Sequence, residues 1–243
     1  MEVLKKDELT GFYLKAKTAS ALGTIFLYHG WSSSAERQLF RGELMSFYGY
    51  DVILVDAFYH GKRGTLAYDD TKVFVDHFFE VLNQNILDFP KVYQLAESVG
   101  AELRRVIVMG HSLGGYTSGG LLANYDQVSE AVLFNGSMDW KKSFLRMKAI
   151  FDVQISPEEV PALNFSPMDK AIDFNQKRLF LANGKNDETV YAKENEIYVD
   201  DLALKSLNLF FKIYKETGHV ITDTMLYDAL SFLGVSREFS EVF

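Results

Sequence analysis

Gly110-His111-Ser112-Leu113-Gly114 is a G-x-S-x-G pentapeptide, embedded in VIVMGHSLGGYTSGGLLA between an apolar run and a helix start rich in small residues. A strand that turns sharply into a helix lifts a serine hydroxyl off the end of a sheet. Glycines on either side let strand and helix pass close together. The helix starting near Gly114 would aim its amides and the positive end of its dipole at the same spot. That placement serves attack by Ser112 on an acyl carbon. Elsewhere the pentapeptide is a Gly-rich turn with an incidental serine; the flanking strand and helix select the nucleophile.

A serine hydroxyl is a weak nucleophile at neutral pH and needs a base. Five histidines compete for that role. His111 adjoins Ser112 in the turn itself and is badly placed to take its proton. His77 lies in a helical stretch. His29 and His60 each stand in a YHG after a strand. His219, in FFKIYKETGHVITD, follows the last strand, where a base comes in the chain order Ser…Asp…His. The orienting acid should lie between them on a loop after a strand. Asp187 in RLFLANGKNDETV fits, and its carboxylate would fix the His219 tautomer and stabilise the imidazolium. Asp139 in FNGSMDW is the second candidate. Either aspartate has an alternative use as a turn or helix cap, and Asn186 shares that option with Asp187.

The tetrahedral oxyanion needs two donors. One is the backbone N–H of Leu113, the residue after the nucleophile. The other should come from the loop after an earlier strand, and YHGWSS (28–33) is that loop, so the Trp31 N–H is the candidate. Its ring is free to pack against the sheet end. Tyr28 ends the strand, Gly30 turns the chain, and Ser34 caps the helix entered at Ala35.

The elements that must position these residues are legible as strand–helix alternation. Apolar runs stand at TIFLY (24–28), DVILVD (51–56), RRVIVMG (104–110), EAVLFNG (130–136), RLFLANG (178–184) and LNLFFKIY (207–214). Helical patterns cover 35–47, 71–99, a stretch ending at 124, 188–205 and 223–233. Runs without polar alternation predict strands buried on both faces, hence an α/β domain with a mostly parallel sheet and helices on both sides. Residues 2–17 would add an antiparallel hairpin at the edge. The interval 137–177 breaks the rhythm and holds three of the four prolines. It reads as a small cap insertion within one domain spanning 1–243, with a helix over 140–151; the alternative is an extra surface helix. In that helix Phe144, Met147 and Phe151 recur at near-helical spacing. Packing on the body with a basic solvated face is preferred over an apolar lid face.

The 243 residues carry a formal charge of −8, which disfavours a polyanionic nucleic-acid partner. The absence of cysteine rules out disulfides and zinc–thiolate sites and fits a reducing compartment. MEVLKKDELTGF lacks an apolar signal region, no run is long enough for a membrane span, and no H-E-x-x-H motif suggests a metal hydrolase.

HGW after one strand, LVDAFYHGKRG after the next, GHSLGG, the Asp187 loop and the terminal GH together resemble the α/β-hydrolase superfamily. The pairing of YHGWSSSAE with VDAFYHGKRG is most similar to small bacterial serine esterases of the prolyl-oligopeptidase-like and dienelactone-hydrolase-like branch. The resemblance implies the triad Ser112, Asp187 and His219, cytoplasmic carboxylesterase activity, and a structural D-x-x-x-H-G loop from Asp56 to Gly61, with His29 and His60 shaping the site. Serine at the nucleophile position departs from dienelactone hydrolase itself. The short N-terminal portion leaves no room for the propeller of the true peptidases.

The expected reaction is hydrolysis of small or short-chain carboxylic esters through an acyl-enzyme, with no metal or organic cofactor and a small-molecule ester as the partner. Thioester, amide or C–C cleavage on the same triad, or a small-molecule receptor on a hydrolase scaffold, are the alternatives, because fold and triad alone serve many ends. Acyl and alcohol specificity and oligomeric state are not legible.

Overall fold

A computed structural model describes residues 1–196 and 208–235. The strands are β1 (Glu2–Lys6), β2 (Leu9–Leu14), β3 (Thr24–Tyr28), β4 (Asp51–Val55), β5 (Val106–His111), β6 (Glu130–Phe134), β7 (Arg178–Gly184) and β8 (Leu209–Tyr214). The helices are α1 (Leu39–Phe47), α2 (Thr71–Ser98), α3 (Leu113–Asn124), α4 (Trp140–Phe151) and α5 (Asp223–Phe232). Of the helix predicted over 188–205, residues 193–196 are helical and 197–205 lie outside the described residues. Position 207 of the last predicted strand does so too.

One sheet runs in the order β1-β2-β4-β3-β5-β6-β7-β8. The predicted hairpin forms its edge: β1 pairs antiparallel with β2, and β2 antiparallel with β4. From β4 to β8 every pairing is parallel. β3, β4 and β6 are buried at every position, as unalternating apolar runs require. Within β3 the side chains divide by parity. Phe26 and Tyr28 join the core shared with α2, α3 and α4, while Ile25 and Leu27 join the core under α1 and α5. The sheet is therefore covered on both sides, as read from the sequence.

The chain leaves β3 for β4 on one side and returns to β5 on the other. That reversal opens a crevice at the C-terminal ends of β3 and β5, where open α/β sheets place their ligands. The YHGWSS loop leaves one of those strand ends and Ser112 the other. At the opposite end of the sheet, buried Glu130 accepts from Arg105 at 2.5 and 2.9 Å and from Arg178 at 3.0 Å. The same two guanidinium groups donate to the carbonyls of Leu233 and Phe232, so cations tie down the C-terminal end of α5.

Residues 137–177 hold α4 and three short 3-10 turns, Pro157–Glu159, Pro161–Phe165 and Pro167–Asp169. Each turn starts at its proline, whose fixed φ and missing N–H suit a first helical position. Among the described residues no helix is long and apolar enough to cross a membrane.

Candidate active site

Ser112 joins β5 to α3 at φ 55° and ψ −120°, a left-handed conformation that a serine adopts at a cost. The strain is held from both sides. The Ser112 N–H donates to the Phe134 carbonyl of β6, and its carbonyl accepts from Tyr116 in the first turn of α3, each at 2.9 Å. The close approach of strand and helix is enforced at Gly114, where an added Cβ would stand 2.2 Å from the Tyr28 carbonyl oxygen. The pentapeptide is thus a strand–helix elbow, with Ser112 at its tip.

His219 Nδ1 and Asp187 Oδ2 are 2.7 Å apart. A carboxylate can only accept, so Nδ1 carries the proton and Nε2 is left as the basic nitrogen. Burial alone would raise the Asp187 pKa, but hydrogen bonds from His219, Val190 and Thr189 outweigh it and hold the carboxyl below its ordinary value. The competing uses foreseen for this aspartate coexist. Oδ1 accepts from the Thr189 and Val190 amides at 2.9 Å, while Oδ2 serves His219. Asp139, the second candidate, instead caps α4 by accepting from the Lys142 N–H at 2.9 Å.

Ser112, His111 and His219 line one cavity of about 450 Å³, together with Gly30 and Trp31. The Gly30 backbone lies so near the elbow that an added Cβ would touch Ser112 Cβ at 3.5 Å. This brings the YHGWSS loop beside the serine. Neither the Trp31 nor the Leu113 backbone N–H donates to another group among the described residues. Two unengaged amides beside a serine at a helix start are what an oxyanion requires. The Trp31 ring is separately occupied, its Nε1 donating to the Tyr68 carbonyl at 3.2 Å.

The remaining histidines have other work. His29 Nε2 accepts from the Ala57 N–H at 3.0 Å, and Nδ1 therefore donates to the Gly30 carbonyl at 2.8 Å. The ring staples the loop after β3 to the loop after β4. Burial pushes its pKa down to about 4, so it is a neutral strut. His60 is also buried and neutral, with Nδ1 donating to the Phe58 carbonyl at 2.8 Å. The Asp56–Gly61 loop closes as the sequence suggested. Asp56 accepts from Ala35, Thr10 and Lys62, and a Cβ on Gly61 (φ 56°) would fall 2.1 Å from its Oδ1. His111 is held down to about 3 by burial and by repulsion from His219, whose ring centre is 4.8 Å away. It does not compete for the proton. His77 pairs with Glu80 on the face of α2.

Two features escaped sequence reasoning. Asn135, buried at φ 47°, donates to the Val220 carbonyl at 2.9 Å and accepts from the Gly184 N–H at 2.8 Å. It ties the His219 loop to the ends of β6 and β7. Its only sequence signal is an Asn-Gly after a strand, which reads as an ordinary turn. The second is a polar network behind the cavity. Tyr116 Oη donates to Ser143 Oγ at 2.9 Å, and Ser143 donates to Glu194 Oε2 at 2.6 Å. Arg146 Nε donates to Glu194 Oε1 at 2.6 Å. Its members lie up to 78 positions apart, so no local motif marks it. Among the described residues no three potential metal-ligating side chains cluster.

An elbow serine at the switch point of this sheet defines a serine hydrolase of α/β-hydrolase fold. Residues 84–232 match the model of the Prolyl oligopeptidase family, and the chain belongs to that family. The Bacillus subtilis (strain 168) protein YitV, provisionally named an esterase, is 24% identical over 191 residues, covering 73% of this chain and 74% of YitV. Among solved structures, TT1662 from Thermus thermophilus superposes with a TM-score of 0.74 at 18% identity, covering 96% of this chain and 98% of its own. The Pyrococcus furiosus esterase Pf2001 gives 0.65 at 19% identity, covering 96% and 90%.

Proposed function

We propose that this protein is a serine carboxylesterase acting on small or short-chain esters, with Ser112 as nucleophile, His219 as general base and Asp187 as its orienting acid. One observation carries the reading: the His219–Asp187 hydrogen bond of 2.7 Å fixes a base whose ring shares a cavity with the elbow serine. Ser112 Oγ attacks the ester carbonyl while His219 Nε2 takes its proton. The Leu113 and Trp31 amides hold the oxyanion. His219 returns the proton to the departing alcohol oxygen, leaving an acyl-enzyme. Water activated by the same nitrogen then releases the acid and restores Ser112. The provisional naming of YitV agrees with ester chemistry.

Residues 137–177 act as a small cap within a single 1–243 domain, since α4 supplies Ser143, Arg146, Met147, Ile150 and Phe151 to the cavity wall. A chain without cysteine suits the cytoplasm. Turnover of p-nitrophenyl butyrate tests the proposal. The intact chain should exceed Ser112→Ala by roughly 10⁴-fold or more, and equal rates would refute it.

A further inference from the structure

The wall of the same cavity carries a feature that acyl transfer does not require. Besides the imidazoles of His111 and His219, six aromatic rings line it: Trp31, Phe74, Phe78, Phe79, Tyr116 and Phe151. They form a connected cluster. Trp31 meets Phe74 at 5.5 Å and 87°, Phe78 meets Tyr116 at 5.4 Å and 88°, and Phe78 meets Phe79 at 5.3 Å and 81°. Phe74 bridges Phe78 at 5.1 Å to Phe151 at 6.4 Å. The cluster thus runs from the loop that offers the Trp31 amide across α2 and α3 to α4. Nearly perpendicular rings present both faces and edges to the space they enclose. A further ring entering that space gains edge-to-face contacts that a saturated group of the same skeleton cannot make.

The Tyr116 ring is also held before any ligand arrives. The Tyr116 hydroxyl is fixed by Ser143, and Ser143 by buried Glu194. The volume suffices: a cavity of about 150 Å³ already admits benzene, and this one is about 450 Å³. Charge favours a neutral ligand. The guanidinium of Arg146 is already held by Glu194, and the other charged side chain on the wall outside the catalytic groups is the carboxylate of Glu188.

We propose that this wall binds an uncharged aromatic ring of the substrate, so that the preferred esters are aryl-alkyl rather than purely aliphatic. The proposal rests on the esterase reading above. Its test compares skeleton-matched pairs on the full chain: methyl 3-phenylpropanoate against methyl 3-cyclohexylpropanoate, and 2-phenylethyl acetate against 2-cyclohexylethyl acetate. Released acid is titrated, and p-nitrophenyl acetate is the reference. The phenyl member of at least one pair should show a kcat/KM about fivefold higher, within the contribution of ring pairs beyond area. The pair that responds tells whether the ring belongs to the acid or the alcohol. In Phe74→Ala that ratio should fall toward one. Ratios at or below one in both pairs, with p-nitrophenyl acetate still turned over, overturn the aromatic site alone. A ratio unmoved in Phe74→Ala overturns it as well. Loss of p-nitrophenyl acetate turnover to the Ser112→Ala level overturns the esterase reading and this proposal together.

Discussion

At Ser112 a left-handed backbone is tolerated because three neighbours over-determine it: the Phe134 carbonyl, the Tyr116 amide and the Gly114 contact with Tyr28. At Asp187 one carboxylate shapes its own loop through Oδ1 and orients His219 through Oδ2. Asp187→Asn should therefore lower kcat by about 10⁴-fold, because an amide favours the wrong imidazole tautomer. Asp139→Ala should leave kcat within a few-fold and cost about 1 kcal/mol of stability through the lost α4 cap. Steady-state kinetics with urea melts on both variants separates the two roles, and the reverse pattern would move the acid to Asp139. The positions of Ser112 at the elbow and of Asp187 beside His219 were legible because elbow geometry and chain order restrict the choices. Asn135 was not, because its function exists only where the ends of β6, β7 and the His219 loop meet.

Among the elements, β3 and β7 match their predicted runs residue for residue, since strands buried on both faces read as near-continuous apolar runs, here interrupted only by Thr24, Arg178 and Asn183. The predicted helix over 140–151 is α4 with the same limits, because Asp139 caps its start. Its faces needed the structure. Phe144 is buried against Phe79, whereas Met147 and Phe151 line the cavity, so packing on the body and facing the site divide among three residues. The anchoring of α5 was equally hidden, since Glu130, Arg105 and Arg178 come from different strands or their approaches. Glu130→Gln would leave two partly exposed guanidinium groups without their carboxylate. A loss of about 1 to 2 kcal/mol is expected, because solvent screens the cations left behind, read as a lower urea midpoint, with ester kcat unchanged because the site lies at the other end of the sheet. A midpoint equal to that of the unsubstituted chain would contradict this anchoring.

Across the whole molecule, sequence pattern sufficed for a sheet covered on both faces, but not for His29 and His60, the buried neutral histidines whose bonds lock its loops. His29 and His111 have folded pKa values pushed down to about 4 and about 3. In the unfolded chain histidine titrates at about 6.5. Below that value the unfolded state binds protons that the folded state refuses, so stability present at neutral pH is lost as pH falls toward 4. For His29 the loss is on the order of 3 kcal/mol. Urea midpoints should fall between pH 7 and pH 4, and less steeply in His29→Gln; parallel slopes would contradict the buried neutral strut. The nucleophilic role proposed for Ser112 is read by treating the intact chain with a fluorophosphonate and locating the adduct by peptide mass spectrometry. Stoichiometric modification of Ser112, lost in Ser112→Ala and strongly slowed in His219→Ala, is the predicted result. A folded chain left unmodified at Ser112, or labelled equally well without His219, would refute that role.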